Sequence, residues 1–233
     1  MPSPTPPTAS AARRNSSGNP YQPPQQETER GKPDQAIPPT RYATFILLAA
    51  TGCIVDLLTK HAMSSWRGLP PRWRGEVPQG REIYWIWEGF LGIETALNQG
   101  ALFGMGQGKV WLFALLSFVA IGGIVYWLFP AKAARDRFLT IALGIIMGGI
   151  LGNLYDRLGL WGGVAPDGET IYAVRDWILI SYGGLEVPWL GKDWPNFNIA
   201  DSLLVCGAGM LIWHSFTKPD EPKKPAGNGP TKN

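Results

Sequence analysis

Histidine and cysteine are nearly missing from this chain, with two of each among 233 residues. No HExxH and no CxxC occurs, so a zinc centre of the usual Cys/His kind has no ligand set. Neither a metal nor another cofactor is expected. Cys53 and Cys206 both fall in apolar stretches, where they read as small packing residues and not as a disulfide pair. GxSxG is also lacking, which removes the commonest serine-hydrolase signature. A strong charge of one sign is absent as well: the formal net charge is only +3, scattered over the ends of the chain and one short loop, which argues against a nucleic-acid partner.

Apolar runs are missing from two segments. Residues 1–41 and 218–233 are rich in Pro, Ser, Thr, Gln, Lys and Arg, and cannot bury enough apolar surface to offset the entropy of ordering them. Both are expected to be disordered tails flanking a single membrane domain at 42–217. Within that domain lie four stretches long enough for the ~20 helical residues that cross a hydrocarbon core: 42–63, 110–129, 138–155 and 199–216. None reads as a cleavable signal peptide, since the first follows 41 polar residues with no small-residue cleavage site close behind it. The fold class is therefore an α-helical integral membrane protein with four spans.

Lys and Arg beside the spans set the expected orientation. The loop PAKAARDR holds Lys132, Arg135 and Arg137; Arg30, Lys32 and Arg41 precede the first span; Lys218, Lys223 and Lys224 follow the last. These three segments belong on the cytoplasmic side, so the long connections 64–109 and 156–197 face outward. In the first of these, EIYWIWEGFLGIETALNQG is aromatic, β-branched and bounded by glycine, which favours short strands at the membrane surface with Trp and Tyr at headgroup level.

Charge inside a span costs about 2.5–3.5 kcal/mol per residue on insertion scales, so each case asks for a reason. Asp56 and Lys60 stand four apart in the first span, on one helical face, where an ion pair with the lysine reaching toward water is the structural reading. Asp156, Asp176 and Asp201 are placed at the outer ends of the third and fourth spans. Asp156 has Arg157 beside it and Asp176 has Arg175, as in paired interfacial charges. Asp201 lies just inside an apolar span, with Asn198 and Ser202 as hydrogen-bonding neighbours, where the helix dipole also favours an anion.

Two such carboxylates facing one cavity would share a proton and work as an aspartic protease, one member activating water and the other polarising the scissile carbonyl. Spacing alone leaves open which two aspartates pair. A Ser–His–Asp triad would need His61 or His214, which are expected at opposite ends of the bundle, and a Ser–Lys dyad would need Ser64 or Ser65 with Lys60. A non-enzymatic reading also exists, a transporter or assembly factor with Asp56, Lys60, Asp156 and Asp201 as an ion path. Four spans without an internal repeat weigh against it.

Five segments, in order, resemble the lipoprotein signal peptidases (signal peptidase II). VDLLTK resembles the first-span D-x-x-[ST]-K motif, with Asp56, Thr59 and Lys60. LNQGALFG resembles N-x-G-A-x-F-G, matching Asn98 and Gly100. GGILGNLYDR resembles the glycine-rich end of the third span, matching Asn153, Asp156 and Arg157. VRDWI and FNIADS resemble the two segments that hold the catalytic aspartates. The resemblance implies that Asp176 and Asp201 are the dyad. It makes Asn98, Gly100, Asn153, Arg157 and Asn198 candidates for holding substrate and positioning the pair, with Asp56, Lys60 and Asp156 as supporting polar residues. It implies a monomeric, metal-independent enzyme of the bacterial inner membrane. The implied partners are membrane lipid and a lipid-modified prolipoprotein, cut just before its diacylglyceryl cysteine. It also implies a small β-cradle in the first outward loop. The connection between Asp156 and Asp176 is longer than the family's usual one, which keeps Asp156 as the alternative partner of Asp201; the 64–82 stretch and the leading tail are additions too.

The charge distribution yields a direct test of topology. A reporter fused after Lys218 should read as cytoplasmic and one inserted near Gly80 as external; the reverse pattern would overturn the orientation.

Overall fold

In the computed structural model, residues 36–74, 76, 80–100, 106, 108–188 and 191–217 are described. Nearly all of both expected tails, and the ALFG part of the 97–104 segment, lie outside them. Four helices are long and apolar enough to cross a membrane: α1 (Pro39–Arg67), α2 (Val110–Leu128), α3 (Arg137–Arg157) and α4 (Ile199–Thr217). All four expected spans are present. The first is longer than its apolar run, starting at Pro39 inside the segment assigned to the tail, because proline at the first helical position supplies a preset φ and lacks only an N–H that would have no partner. It stops at Gly68, whose φ of 75° suits glycine and whose N–H closes on the Ser64 carbonyl. Asp136 caps α3, its carboxylate accepting from the Phe138 and Leu139 amides.

α3 is the central helix, packed mainly on α1 and α4. Over half of its apolar window (56%) is buried, against at most 17% for the other three, whose large side chains face outward. That outward apolar surface is what lipid requires. Where both surroundings and interior are apolar, hydrophobicity gives helices little reason to associate, and close packing of small residues takes over. Gly144, Gly148 and Gly152 recur every fourth residue along the α3 face that meets α1. A Cβ on Gly148 would lie 3.1 Å from both the Ala49 carbonyl oxygen and Gly52 Cα, and one on Gly152 would collide with the Asp56 carboxylate. Gly149 faces α4, where a Cβ would sit 2.5 Å from the Ala200 carbonyl oxygen. At the far end, Phe45, Ala49, Leu128, Ala134, Leu143 and Met147 form the apolar core.

Above the other end lies one antiparallel sheet in the order β1 (Tyr84–Trp87), β2 (Leu91–Asn98), β3 (Val174–Ser181) and β4 (Asp193–Phe197). This extends and corrects the expected cradle: the first outward connection supplies only β1 and β2, and the second supplies β3 and β4. The sequence signal for the second pair was weak because β3 is largely buried and reads as a short apolar run instead of an alternating one. β2 pairs with β3 through Ala96↔Asp176, Leu97↔Arg175 and Asn98↔Val174. β4 runs through Asn198 directly into α4. The sheet thus brings residues 97–100 together with the VRDWI and FNIADS segments.

The glycine seam generates a stability prediction. Gly152→Ala should destabilise the folded protein by about 1–3 kcal/mol, the usual cost of overpacking, because the new methyl meets the Asp56 carboxylate. Gly122→Ala, on α2 with open space around it, should be neutral or slightly stabilising. Thermal unfolding of both variants in detergent checks the pair.

Candidate active site

α4 begins with a reciprocal cap. The Asn198 side-chain oxygen accepts from the Asp201 backbone N–H (3.0 Å), and the Asp201 carboxylate accepts from the Asn198 backbone N–H (3.2 Å). This arrangement fixes Asp201 in the first turn, and the Asn153 amide on α3 donates to its other oxygen at 2.8 Å. The same Asn198 side chain points its Nδ2 at Asp176 Oδ1 (2.6 Å) and at Asn153 Oδ1 (3.1 Å). One fully buried amide therefore joins a carboxylate on β3 to a carboxylate at the start of α4. Asn98, at the end of β2, also hydrogen-bonds to Asp176, and its own side-chain oxygen accepts from the Gly100 N–H at 2.9 Å.

Asp176 was expected at the outer end of a span; it stands instead on a strand. There it is 3% exposed. Burial, followed by the nearby Asp201 charge, pushes its pKa up to about 8, against the opposing pull of Lys60 and the Asn198 and Asn98 amides. A carboxylic acid that keeps its proton near neutral pH beside a second carboxylate is the electrostatic signature of a pair sharing one proton.

Beneath the pair lies a buried charge cluster. Lys60 donates to Asn153 Oδ1 (2.8 Å) and pairs with Asp56 (2.7 Å) and Asp156 (3.4 Å). Both Lys60 and Asp56 are wholly buried. The expectation that Lys60 reaches toward water is thus corrected: a hydrogen bond to Asn153 and ion pairs with Asp56 and Asp156 hold it inside the bundle. The other Asp56 oxygen accepts from the Ala200 N–H at 2.8 Å, tying α1 to the start of α4. Asp156 does not pair with its neighbour Arg157. Its partner is Arg175, whose guanidinium bonds to it at 2.7 and 3.2 Å and whose backbone N–H adds a third contact at 2.9 Å. Two cations and two anions thus offset each other below the carboxylate pair.

Arg157 lies at the rim. It is within electrostatic reach of Asp201 and Asp176, stands 5.7 Å over the Phe113 ring, and closes one end of a cavity of about 610 Å³. The cavity walls are mainly apolar, with Val110, Trp111, Leu115 and Phe118 from α2 and Tyr172 opposite. Among the described residues no three His, Cys, Asp or Glu side chains converge as metal ligands.

The fold brings together Asp176, Asp201, Asn98, Asn153 and Asn198, sets Gly100 in the turn beside Asn98, and places Asp56, Lys60 and Asp156 one layer below. His61 and His214 sit at opposite ends of the bundle, His214 paired with Asp136 (2.6 Å). Arg175 was missed as a contributor. Strand alternation was the available signal, since adjacent strand residues point to opposite faces and Arg175 could not share a face with Asp176.

Comparison with known proteins agrees with this geometry. The family model described as signal peptidase (SPase) II matches residues 48–217. A lipoprotein signal peptidase of Rhodopirellula baltica is 50% identical over 184 residues, covering 78% of this chain and 75% of that protein. One from Symbiobacterium thermophilum is 30% identical over 169 residues, covering 72% and 91%. A solved bacterial membrane enzyme is similar in structure, with a TM-score of 0.55 and 26% identity over 78% of this chain and 95% of that one. On the match across all four spans and the sheet between them, this chain belongs to the signal peptidase II family.

Proposed function

We propose that this multi-pass membrane protein removes signal peptides from prolipoproteins as an aspartic endopeptidase, with Asp176 and Asp201 as the catalytic pair. The observation that carries the reading is the Asn198 amide, which holds one carboxylate from β3 and caps the helix bearing the other. Asp176, with its pKa near 8, holds the shared proton at neutral pH and donates a hydrogen bond to the scissile carbonyl. Asp201, at the positive end of α4, accepts a proton from the attacking water. When the tetrahedral intermediate collapses, the proton passes to the leaving amine and the pair returns to its starting state. Asn98, Asn153 and Asn198 keep the carboxylates oriented, and Arg157 at the rim is placed to hold the substrate backbone.

The substrate in this reading is a prolipoprotein whose cysteine carries a diacylglyceryl thioether, cut immediately before that cysteine. The cavity lined by Arg157 and α2 supports it. Its apolar α2 wall and the outward apolar surface of the helices suit an acyl chain, while Arg157 offers the polar end a partner. The Lys/Arg distribution puts both termini in the cytoplasm and the dyad at the outer face of the inner membrane.

Two tests follow. Asp176→Asn and Asp201→Asn should each abolish cleavage of a lipidated precursor, by about 1,000-fold or more, without loss of folded protein, and the double variant should be no worse than either alone. Asp156→Asn should instead lower stability, because it leaves Arg175 and Lys60 short of a buried partner. Folded but inactive Asp156→Asn with active Asp176→Asn would reassign the pair. Activity should fall as pH rises through about 8, where Asp176 loses its proton, and fall again in acid, where the base is protonated. The shortage of Cys and His generates the second: cleavage should survive strong chelators, whereas loss restored by zinc would overturn the reaction class.

A further inference from the structure

The two carboxylates reach the site on different elements. Asp201 is held from α3, through Asn153, whereas Asp176 rides on β3. Something must set the position of β3 against α3. Arg175 and Asp156 make that connection. Asp156 lies one helical turn beyond Asn153 on α3, and Arg175 immediately precedes Asp176 on β3. The Arg175 guanidinium and backbone N–H together place four hydrogen bonds on the Asp156 carboxylate, at 2.7, 2.9, 3.2 and 3.3 Å. The other face of the guanidinium is covered by Trp161, 5.0 Å from ring centroid to Cζ, in the connection between α3 and β3. Only 6% of Arg175 is exposed.

This is a clamp and not a surface ion pair. A planar, forked guanidinium stacked on a ring and bonded to both oxygens of one carboxylate has little freedom to rotate, so the strand that carries it is held in translation and in twist. Because the strand alternates, every shift of Arg175 on its Asp156 side moves Asp176 on the opposite side.

We infer that Arg175, gripped between Asp156 and Trp161, is a positioning residue that sets the spacing of Asp176 from Asp201. The inference rests on the dyad assignment made above. Lys60 also pairs with Asp156 but is shared with Asp56, so Arg175 supplies the second balancing charge and, through its fork, direction. The groups that face Asp176 are Asp201 and Asn198 at the start of α4, Lys60 on α1 and Asn98 on β2, while Arg157 on α3 feels its charge. Arg175 touches none of the reacting atoms and acts through the strand.

Arg175→Lys keeps the charge and loses the fork. With the full chain in lipid bilayers and a lipidated precursor as substrate, kcat should fall about 100-fold, the scale of a misplacement near 1 Å, while KM stays within about twofold. The alkaline limb of the pH profile should move to lower pH, because a loosened β3 admits water to Asp176 and relieves the burial that raises its pKa. Trp161→Leu, which leaves the ion pair and removes the stacked face, should show the same pattern to a smaller degree and carries the test if Arg175→Lys does not accumulate. Unchanged kcat and pH limb per folded molecule, with only a lower melting temperature, would overturn the inference and leave Arg175 a structural residue. Active Asp176→Asn would overturn the dyad assignment instead, so the two failures are distinguishable.

Discussion

Lys60 sits buried in the bundle, ion-paired with Asp56 on its own helix and with Asp156 on α3, and hydrogen-bonded to Asn153 on α3. A lysine at this depth, left unpaired, would cost several kcal/mol, a large share of a domain's stability, so its partners must be delivered together. That requirement links the elements. Asp56 also receives the Ala200 amide in the first turn of α4, Asp156 receives Arg175 from β3, and Asn153 passes the connection on to Asp201. Helices that gain little from hydrophobic association in lipid are thereby held in one register by polar contacts, and the glycines at 144, 148 and 152 let α1 come close enough for those contacts to form.

The same network separates two tasks among chemically identical side chains. Asp56 and Asp156 face cations and serve as counter-charges. Among the described residues, Asp176 and Asp201 have amides as their direct hydrogen-bond partners, together with each other's charge. Amides orient a carboxylate without neutralising it, so the pair keeps the electrostatic conflict that makes one member hold a proton. Under the proposed function, the environment, and not the residue type, divides four aspartates into structural and chemical ones.

The site also illustrates how a small membrane protein handles water and lipid at once. The carboxylates lie where sheet and bundle meet, Asp176 buried and Asp201 half-buried, while Arg157 on α3 lines the apolar cavity along α2. Exposed Tyr84, Ile86, Trp87 and Phe90 on and beside β1 give the sheet an aromatic surface of the kind that settles at a headgroup layer.

Hydropathy alone determined the four spans, because a helix in hydrocarbon must show lipid an apolar surface over about 20 residues. The motifs, read as a resemblance, also named the residues that gather at the site. What the sequence could not determine was partnership. Asp156 stands beside Arg157 in the chain but is bound by Arg175, and Asp176 stands beside Arg175 but is bound by Asn198, because a helix and a strand each send adjacent side chains in different directions. The depth of Lys60 was decided in the same way: on α1 alone it could as well have snorkelled, and only the acceptors of α3 make burial the cheaper state. β3 was hidden for a related reason, since a strand largely buried on both faces loses its alternation, while β4 is a five-residue edge strand interrupted by Pro195.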